Sequence, residues 1–307
     1  MDAGSLRVIT GPTASGKSDL AMALAERFPL TIISADSRQV YRGFDIGTAK
    51  PTSAEQARVT YRGVDVAAPV ERYSAATWAA AAGGWAAEAT LAGRTPVVVG
   101  GTGFYVRALV SPFFEEPPLD PDRRLALRGA LDTLPTPELQ RWCLALDPVR
   151  AHLGRAQLMR AVEIALLTGI PISEWHVRSP GAPRGRVRYL VLDPGASLAG
   201  RIERRAGRML EAGWEAEVAA LMAVVPSGAP AWNATGYAAV RDLVTGRIAR
   251  AAALDRIVID TRQYAKRQRT WFRNQLRDED VTLLDPTRAD ALDRAAAWWI
   301  GNRENSQ

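Results

Sequence analysis

The chain has 307 residues, 47% of them hydrophobic and 23% charged, enough to build one large α/β domain or a domain carrying an insertion. Its one cysteine, Cys143, excludes an internal disulfide framework and a cysteine-based zinc site, and no apolar run reaches membrane-spanning length. The net charge of +6 favours a polyanionic partner only weakly, because all but three of the 39 basic residues are arginines and composition bias alone raises the total.

Leu6, Val8 and Ile9 open the chain as a short apolar strand, and an Ala/Leu helical pattern follows Ser18. Gly11-Pro12-Thr13-Ala14-Ser15-Gly16-Lys17-Ser18 lies between them, giving the strand, glycine-rich loop and helix of a P-loop in the required order. Gly11 and Gly16 let the backbone turn tightly and aim its N–H groups at phosphate oxygens, and the positive end of the next helix faces the same anion. In such a loop Lys17 reaches the outer phosphate and the Ser18 hydroxyl can hold a Mg²⁺ ion. The motif lies so near the first residue that no secretory signal is expected ahead of it, and the expected location is the cytoplasm.

Leu30 to Ala35 reads as a second buried strand ending at Asp36. Residues just past strand ends in an open parallel sheet face the ligand crevice, so Asp36 is a candidate general base or metal ligand; the alternative is a cap on the next turn. The polar, glycine-punctuated loop from Arg42 to Pro51 is long for a connector, which leans functional. Residues 61–66 read as a short strand and 73–90 as an Ala-rich helix. Pro96 to Val99 is the third clear strand, and it runs into Gly100-Gly101-Thr102-Gly103-Phe104-Tyr105. That loop is a second backbone nest on the same crevice, or a tight turn with Thr102 as a helix cap.

Pro112, Pro117, Pro118 and Pro121 then interrupt the chain, residues 123–131, 137–146 and 155–167 read as helices, and Ser179 to Pro183 closes the section. Residues 112–185 are therefore expected to form a helical insertion domain, with Cys143 in its core, between strands of a catalytic core built from residues 1–111 and 186–307. Val187 to Leu192 returns to the sheet. Arg201, Arg204, Arg205 and Arg208 crowd one helix, whose apolar stripe continues through Trp214, Val218 and Leu221. Residues 255–277 form a long helical pattern with Arg262, Lys266, Arg269, Arg273 and Arg277 on one face. Such a stripe is the footprint of a phosphate-backbone contact or a solvated face. A strand at 281–284 and a helix at 289–300 complete a P-loop NTPase-like α/β fold, with a mainly parallel sheet flanked by helices.

Taken together, GPTASGKS, SADSRQVYRGFDIGTAKP (Ser34 to Pro51), GGTGFY, RAVEIALLTG (Arg160 to Gly169), the RIERR helix and TRQYAKRQRTWFR (Thr261 to Arg273) resemble the bacterial tRNA dimethylallyltransferases. The resemblance spans nearly the whole chain. It implies transfer of a dimethylallyl group from dimethylallyl diphosphate to the exocyclic N6 amine of the adenine 3′ to the anticodon. The P-loop would then hold a diphosphate leaving group, joined by Arg201, with Mg²⁺ as cofactor. Lys17, Asp36 and Thr102 would be catalytic. Asp36, Ser37, Arg38, Gln39, Thr102, Gln157, Arg160, Lys266, Arg269 and Arg273 would contact the tRNA anticodon stem-loop. Ala156-Gln157 departs from the family's usual Gln-Arg pair, which bears on one set of anticodon-loop contacts rather than on the chemistry. No membrane or protein partner is implied, and the expected state is a monomer.

The alternatives are a free-nucleotide isopentenyltransferase, a P-loop small-molecule kinase and a non-catalytic nucleic-acid-binding module. A kinase has no reason to combine the GGTGFY nest with the basic helix. A nucleotide-sized acceptor does not need the charge stripe, and a binding module leaves the P-loop and Asp36 unexplained.

Overall fold

The computed structural model describes residues 5–110, 119–178, 186–276 and 280–301. Pro112, Pro117, Pro118, the Ser179 to Pro183 stretch and Arg277 lie outside the described residues. The chain forms two compact units, Met1–Val110 with Arg184–Gln307, and Ser111–Pro183.

The first unit begins with β1 (Ser5–Thr10), α1 (Lys17–Ala25), β2 (Leu30–Ser34), α2 (Ser53–Arg58), β3 (Thr60–Arg62), α3 (Ala75–Leu91), β4 (Thr95–Gly100) and α4 (Gly103–Val110). The second unit holds α5 (Pro121–Asp132), α6 (Thr136–Leu146), α7 (Arg155–Thr168) and α8 (Ile172–Arg178). The first unit resumes with β5 (Arg186–Leu192), α9 (Leu198–Glu211), α10 (Trp214–Val224), α11 (Tyr237–Val244), α12 (Arg250–Gln275), β6 (Asp280–Leu284) and α13 (Ala291–Ile300).

The six strands form one sheet in the order β3-β2-β4-β1-β5-β6, and every pairing is parallel. β2 is buried at all five positions, as a Leu/Ile-rich strand covered on both faces must be. Ile9, Ile32, Val97, Leu190 and Leu192 pack with Leu24 of α1 and with Trp298 and Trp299 of α13 in one core. Each such buried side chain contributes about 1.5–3 kcal/mol. Because β2 and β5 lie on opposite sides of β1, the loops after β1, β4 and β5 open together at the carboxyl edge of the sheet, where α/β folds bind ligands.

The apolar stripe from Ile202 to Leu221 is divided between two helices. Gly213, at φ +97° in the left-handed region, ends α9 and starts α10. No helix among the described residues is long and apolar enough to cross a membrane.

The second unit packs Leu131, Leu139, Cys143, Leu158, Val162 and Ile164 around a core of its own. Glu163, 1% exposed, is held there by Arg124, Arg128 and Arg160.

Candidate active site

The P-loop owes its shape to close approaches that only glycine permits. A Cβ on Gly11 (φ +147°) would fall 2.2 Å from the Leu192 carbonyl oxygen. At Gly16 (φ +92°) it would fall 3.0 Å from an Arg201 guanidinium nitrogen. Arg201 Nε donates to the Ala14 carbonyl at 2.9 Å, so α9 braces the loop from outside. Lys17 Nζ donates to the Pro12 carbonyl at 2.7 Å.

The loop and α9, the latter through Arg201, Arg204, Arg205 and Arg208, line a cleft of about 860 Å³. Ala14 (φ 62°), Ala49 (φ 49°) and Asp65 (φ 57°), the non-glycine residues with left-handed backbone among the described ones, all line this cleft. Strain gathered at one place marks a functional site. Burial pulls the Lys17 pKa down to about 7, Arg205 adds to the fall, and Asp36 opposes it. Burial likewise lowers Arg205, which makes no hydrogen bond or ion pair within the described residues. A desolvated guanidinium beside a lysine of lowered pKa is an arrangement whose charged forms a compact polyanion would stabilise.

Lys50 also lines the cleft, but its role is structural. Only 3% of its side chain is exposed, and its ammonium group bonds Asp45, Asp65 and the Tyr41 carbonyl. Glu217 completes that anchor by accepting from the Asp45 and Ile46 amides (3.0 and 2.6 Å) and from the Tyr237 hydroxyl. The long loop is therefore a rigid wall. Gly47 lies against the Trp214 ring, where a Cβ would be 2.2 Å from the indole.

The ends of β2 and β4 meet at Gly100, whose Cβ would be 2.2 Å from the Ala35 carbonyl oxygen. The Thr102 amide donates to that same carbonyl at 3.1 Å. This contact sets Asp36 and Thr102 side by side. The Thr102 hydroxyl accepts from the Ser37 amide at 3.1 Å, which ties the loop after β4 to the turn after β2. Burial and the Asp36 charge push Tyr264 up to about 12. Asp36 accepts from the Arg38 amide at 2.8 Å, the turn-capping bond that the sequence offers as the alternative to a catalytic role. Its charge acts on Lys17, Arg205, Tyr264 and Tyr105. Gln39 accepts from the Ser34 hydroxyl and donates to the Thr48 and Ala49 carbonyls, which uses its whole amide internally.

Helix α12 crosses the strand ends. Gln268 accepts from the Thr13 amide at 2.7 Å and donates to the Gly101 carbonyl at 2.8 Å. Trp271 covers Gly103. Arg269 pairs with Asp193 and donates to the Gly195 carbonyl at 2.9 Å, and Arg262 lies 3.7 Å from Glu203. Lys266 and Arg273 are exposed. In the second unit, Gln157 accepts from the Gly154 amide at the start of α7 and Arg160 is 2.7 Å from Glu163. The structure thus gathers the P-loop, Arg201, Asp36, Ser37, Thr102 and α12 within the first unit, while Gln157 and Arg160 belong to the second. Sequence reasoning passed over Gln268, an uncharged residue inside the KRQRTWFR stretch, and singled out neither Arg205 among its neighbours nor Glu217.

Ser18 is exposed at the mouth of the cleft beside Asp19. Among the described residues no group of three or more His, Cys, Asp or Glu could hold a metal. One hydroxyl suits a hard cation that takes its remaining ligands from phosphate oxygens and water, as Mg²⁺ does.

Comparisons with known proteins bear on the family. The family model described as IPP transferase matches residues 39–275, and one described as isopentenyl transferase matches residues 4–62. A tRNA dimethylallyltransferase of Thermosynechococcus vestitus is 39% identical over 94% of this chain and 92% of its own length. The crystal structure of the tRNA isopentenylpyrophosphate transferase of Bacillus halodurans superimposes with a TM-score of 0.69 at 32% identity, covering 97% of this chain and 96% of that one. The fold also matches a eukaryotic dimethylallyltransferase at a TM-score of 0.84, with 24% identity and coverage of 99% of this chain and 81% of that one. With a family model matched over most of its length and full-length relatives well above 30% identity, the chain belongs to the IPP transferase family.

Proposed function

We propose that this enzyme transfers the dimethylallyl group of dimethylallyl diphosphate to the exocyclic N6 amine of the adenine 3′ to the anticodon of tRNA, releasing diphosphate. The observation that supports this reading is the meeting of the loops after β2 and β4, where the Thr102 hydroxyl accepts from the Ser37 amide next to Asp36 while Gln268 ties the Gly101 carbonyl to the P-loop amide of Thr13.

Two difficulties define the chemistry. The adenine amine is a poor nucleophile, because its lone pair is delocalised into the ring. The donor carbon is allylic, so positive charge builds on it as its bond to the diphosphate oxygen breaks. The P-loop amides, Lys17, Arg201 and Arg205 hold the developing negative charge on that oxygen. Asp36 accepts the N6 proton as the carbon–nitrogen bond forms. Thr102, held by the Ser37 amide, orients the acceptor. A Mg²⁺ ion held at Ser18 would supply further neutralisation of the diphosphate. The base leaves its stack to reach the crevice. Lys266 and Arg273 offer charge to the tRNA backbone, and the enzyme acts as a cytoplasmic monomer.

The test is Lys17→Ala. Dimethylallyl diphosphate binding should weaken and turnover nearly vanish while tRNA still binds. A parent protein that hydrolyses ATP at rates typical of kinases and transfers no prenyl group would overturn the assignment.

A further inference from the structure

We propose that Gln268 is a positioning residue that fixes the spacing between the P-loop and the Gly100–Gly103 loop, and so the distance between leaving group and acceptor; this rests on the reading given under Proposed function. The residue is 7% exposed and its amide spans the two loops, with Oε1 on the Thr13 amide (2.7 Å) and Nε2 on the Gly101 carbonyl (2.8 Å). The fit leaves no slack. A Cβ on Gly101 would fall 2.3 Å from Gln268 Nε2 and 3.2 Å from the Gly11 carbonyl oxygen.

The chemistry of the bridge is asymmetric: one loop presents a donor and the other an acceptor. A carboxamide of this length offers an acceptor and a donor at once. A carboxylate faces the Gly101 carbonyl with lone pairs, and an alkyl chain leaves a buried carbonyl and a partly buried amide without this partner. The adjacent Arg269 binds Asp193 and Gly195 past the end of β5. One turn of α12 therefore ties together the ends of β4, β1 and β5, three neighbouring strands. Thr13 belongs to the loop for the diphosphate, and Gly101 precedes the Thr102 hydroxyl, so the amide holds the donor side against the acceptor side.

The experiment compares the full-length parent with Gln268→Leu and Gln268→Glu. Four quantities are measured: melting temperature, calorimetric affinity for inorganic diphosphate, prenyl-transfer kcat and KM with tRNA from pH 5.5 to 8.5, and hydrogen exchange at the Thr13 amide. In Gln268→Leu the turnover should fall about a hundredfold, the cost of an ångström-scale misplacement, while diphosphate affinity changes less than about threefold. Thr13 exchange should quicken about tenfold or more as its partner is lost. Gln268→Glu should be impaired at pH 8.5 and recover as pH falls, because the protonated carboxyl again donates to the Gly101 carbonyl, and burial beside a carbonyl raises its pKa. Three results would overturn the clamp: parent-like turnover in folded Gln268→Leu, unchanged Thr13 exchange, or a pH-independent Gln268→Glu defect matched by a proportionate loss of diphosphate affinity. Failure of the parent itself to prenylate tRNA sinks the functional reading instead, and the exchange measurement still decides the clamp.

Discussion

Lys17 carries a quantitative consequence, because a lysine with a pKa near 7 changes its charge across the neutral range. At pH 8 it is about nine-tenths neutral, and at pH 6 about nine-tenths charged. A diphosphate bound against it restores the charge, so binding should take up about 0.9 proton at pH 8 and about 0.1 at pH 6 through this group. The perturbation is Lys17→Arg, whose guanidinium stays charged at both pH values. The assay is calorimetric titration of inorganic diphosphate in buffers of different ionisation heat, with the ligand's own protonation cancelling between parent and variant. The affinity of the parent relative to the variant should also fall roughly tenfold between pH 6 and pH 8. Since the folded pKa lies below the unfolded value of 10.5, the unfolded chain binds more protons between pH 7 and 10.5. This group's contribution to stability therefore rises with pH across that window. Equal proton uptake by parent and variant at pH 8 would refute the reasoning, because Lys17 would then be charged before the anion arrives.

Asp36→Asn keeps the turn but removes the base, so turnover should fall by roughly two to four orders of magnitude with little change in either substrate affinity; a large loss of diphosphate affinity in binding assays would make Asp36 an organiser of the metal instead. Thr102→Ala should lower kcat more than it raises either KM in steady-state assays, whereas equal losses would leave Thr102 a structural residue. Lys266→Ala combined with Arg273→Ala should flatten the logarithmic salt dependence of tRNA binding by about 0.7–0.9 per lost contact; an unchanged slope removes both residues from the footprint. Glu163→Gln leaves three arginines around a neutral group and should cost about 3 kcal/mol, read as a lower melting temperature with diphosphate binding intact. Burial alone would raise the Glu163 pKa, but Arg160, Arg124 and Arg128 overcome it and hold it below 4.5. The stability it contributes is therefore full above 4.5 and fades as pH falls through the folded value, which an acid melting series checks.

The central sheet is legible in the sequence because most of its strands are short apolar runs that end in glycine or aspartate, which places both nests and Asp36 at strand ends. Short or locally broken elements are not. Helix α2 has six residues and buries none of them, so its capping box (Thr52 and Glu55) is its main signal. Gly213 divides a stripe that periodicity carries straight through. The basic face of α12 was visible as a charge pattern, but a pattern cannot say which charges are already engaged. Arg269 braces the β5 loop and Arg262 lies near Glu203, so the stripe is only partly available to an RNA. Gln268 and Glu217 act through backbone groups more than 160 residues away in sequence, a separation that no local spacing encodes.

The most direct test of the proposed function is incubation of the full-length chain with labelled dimethylallyl diphosphate and Mg²⁺, with either bulk tRNA or AMP as acceptor. The account predicts label in tRNA, released on nuclease digestion as a prenylated adenosine, stoichiometric diphosphate, and no transfer to AMP. Transfer to AMP with none to tRNA would contradict it, and would assign the same cleft to a free-nucleotide acceptor.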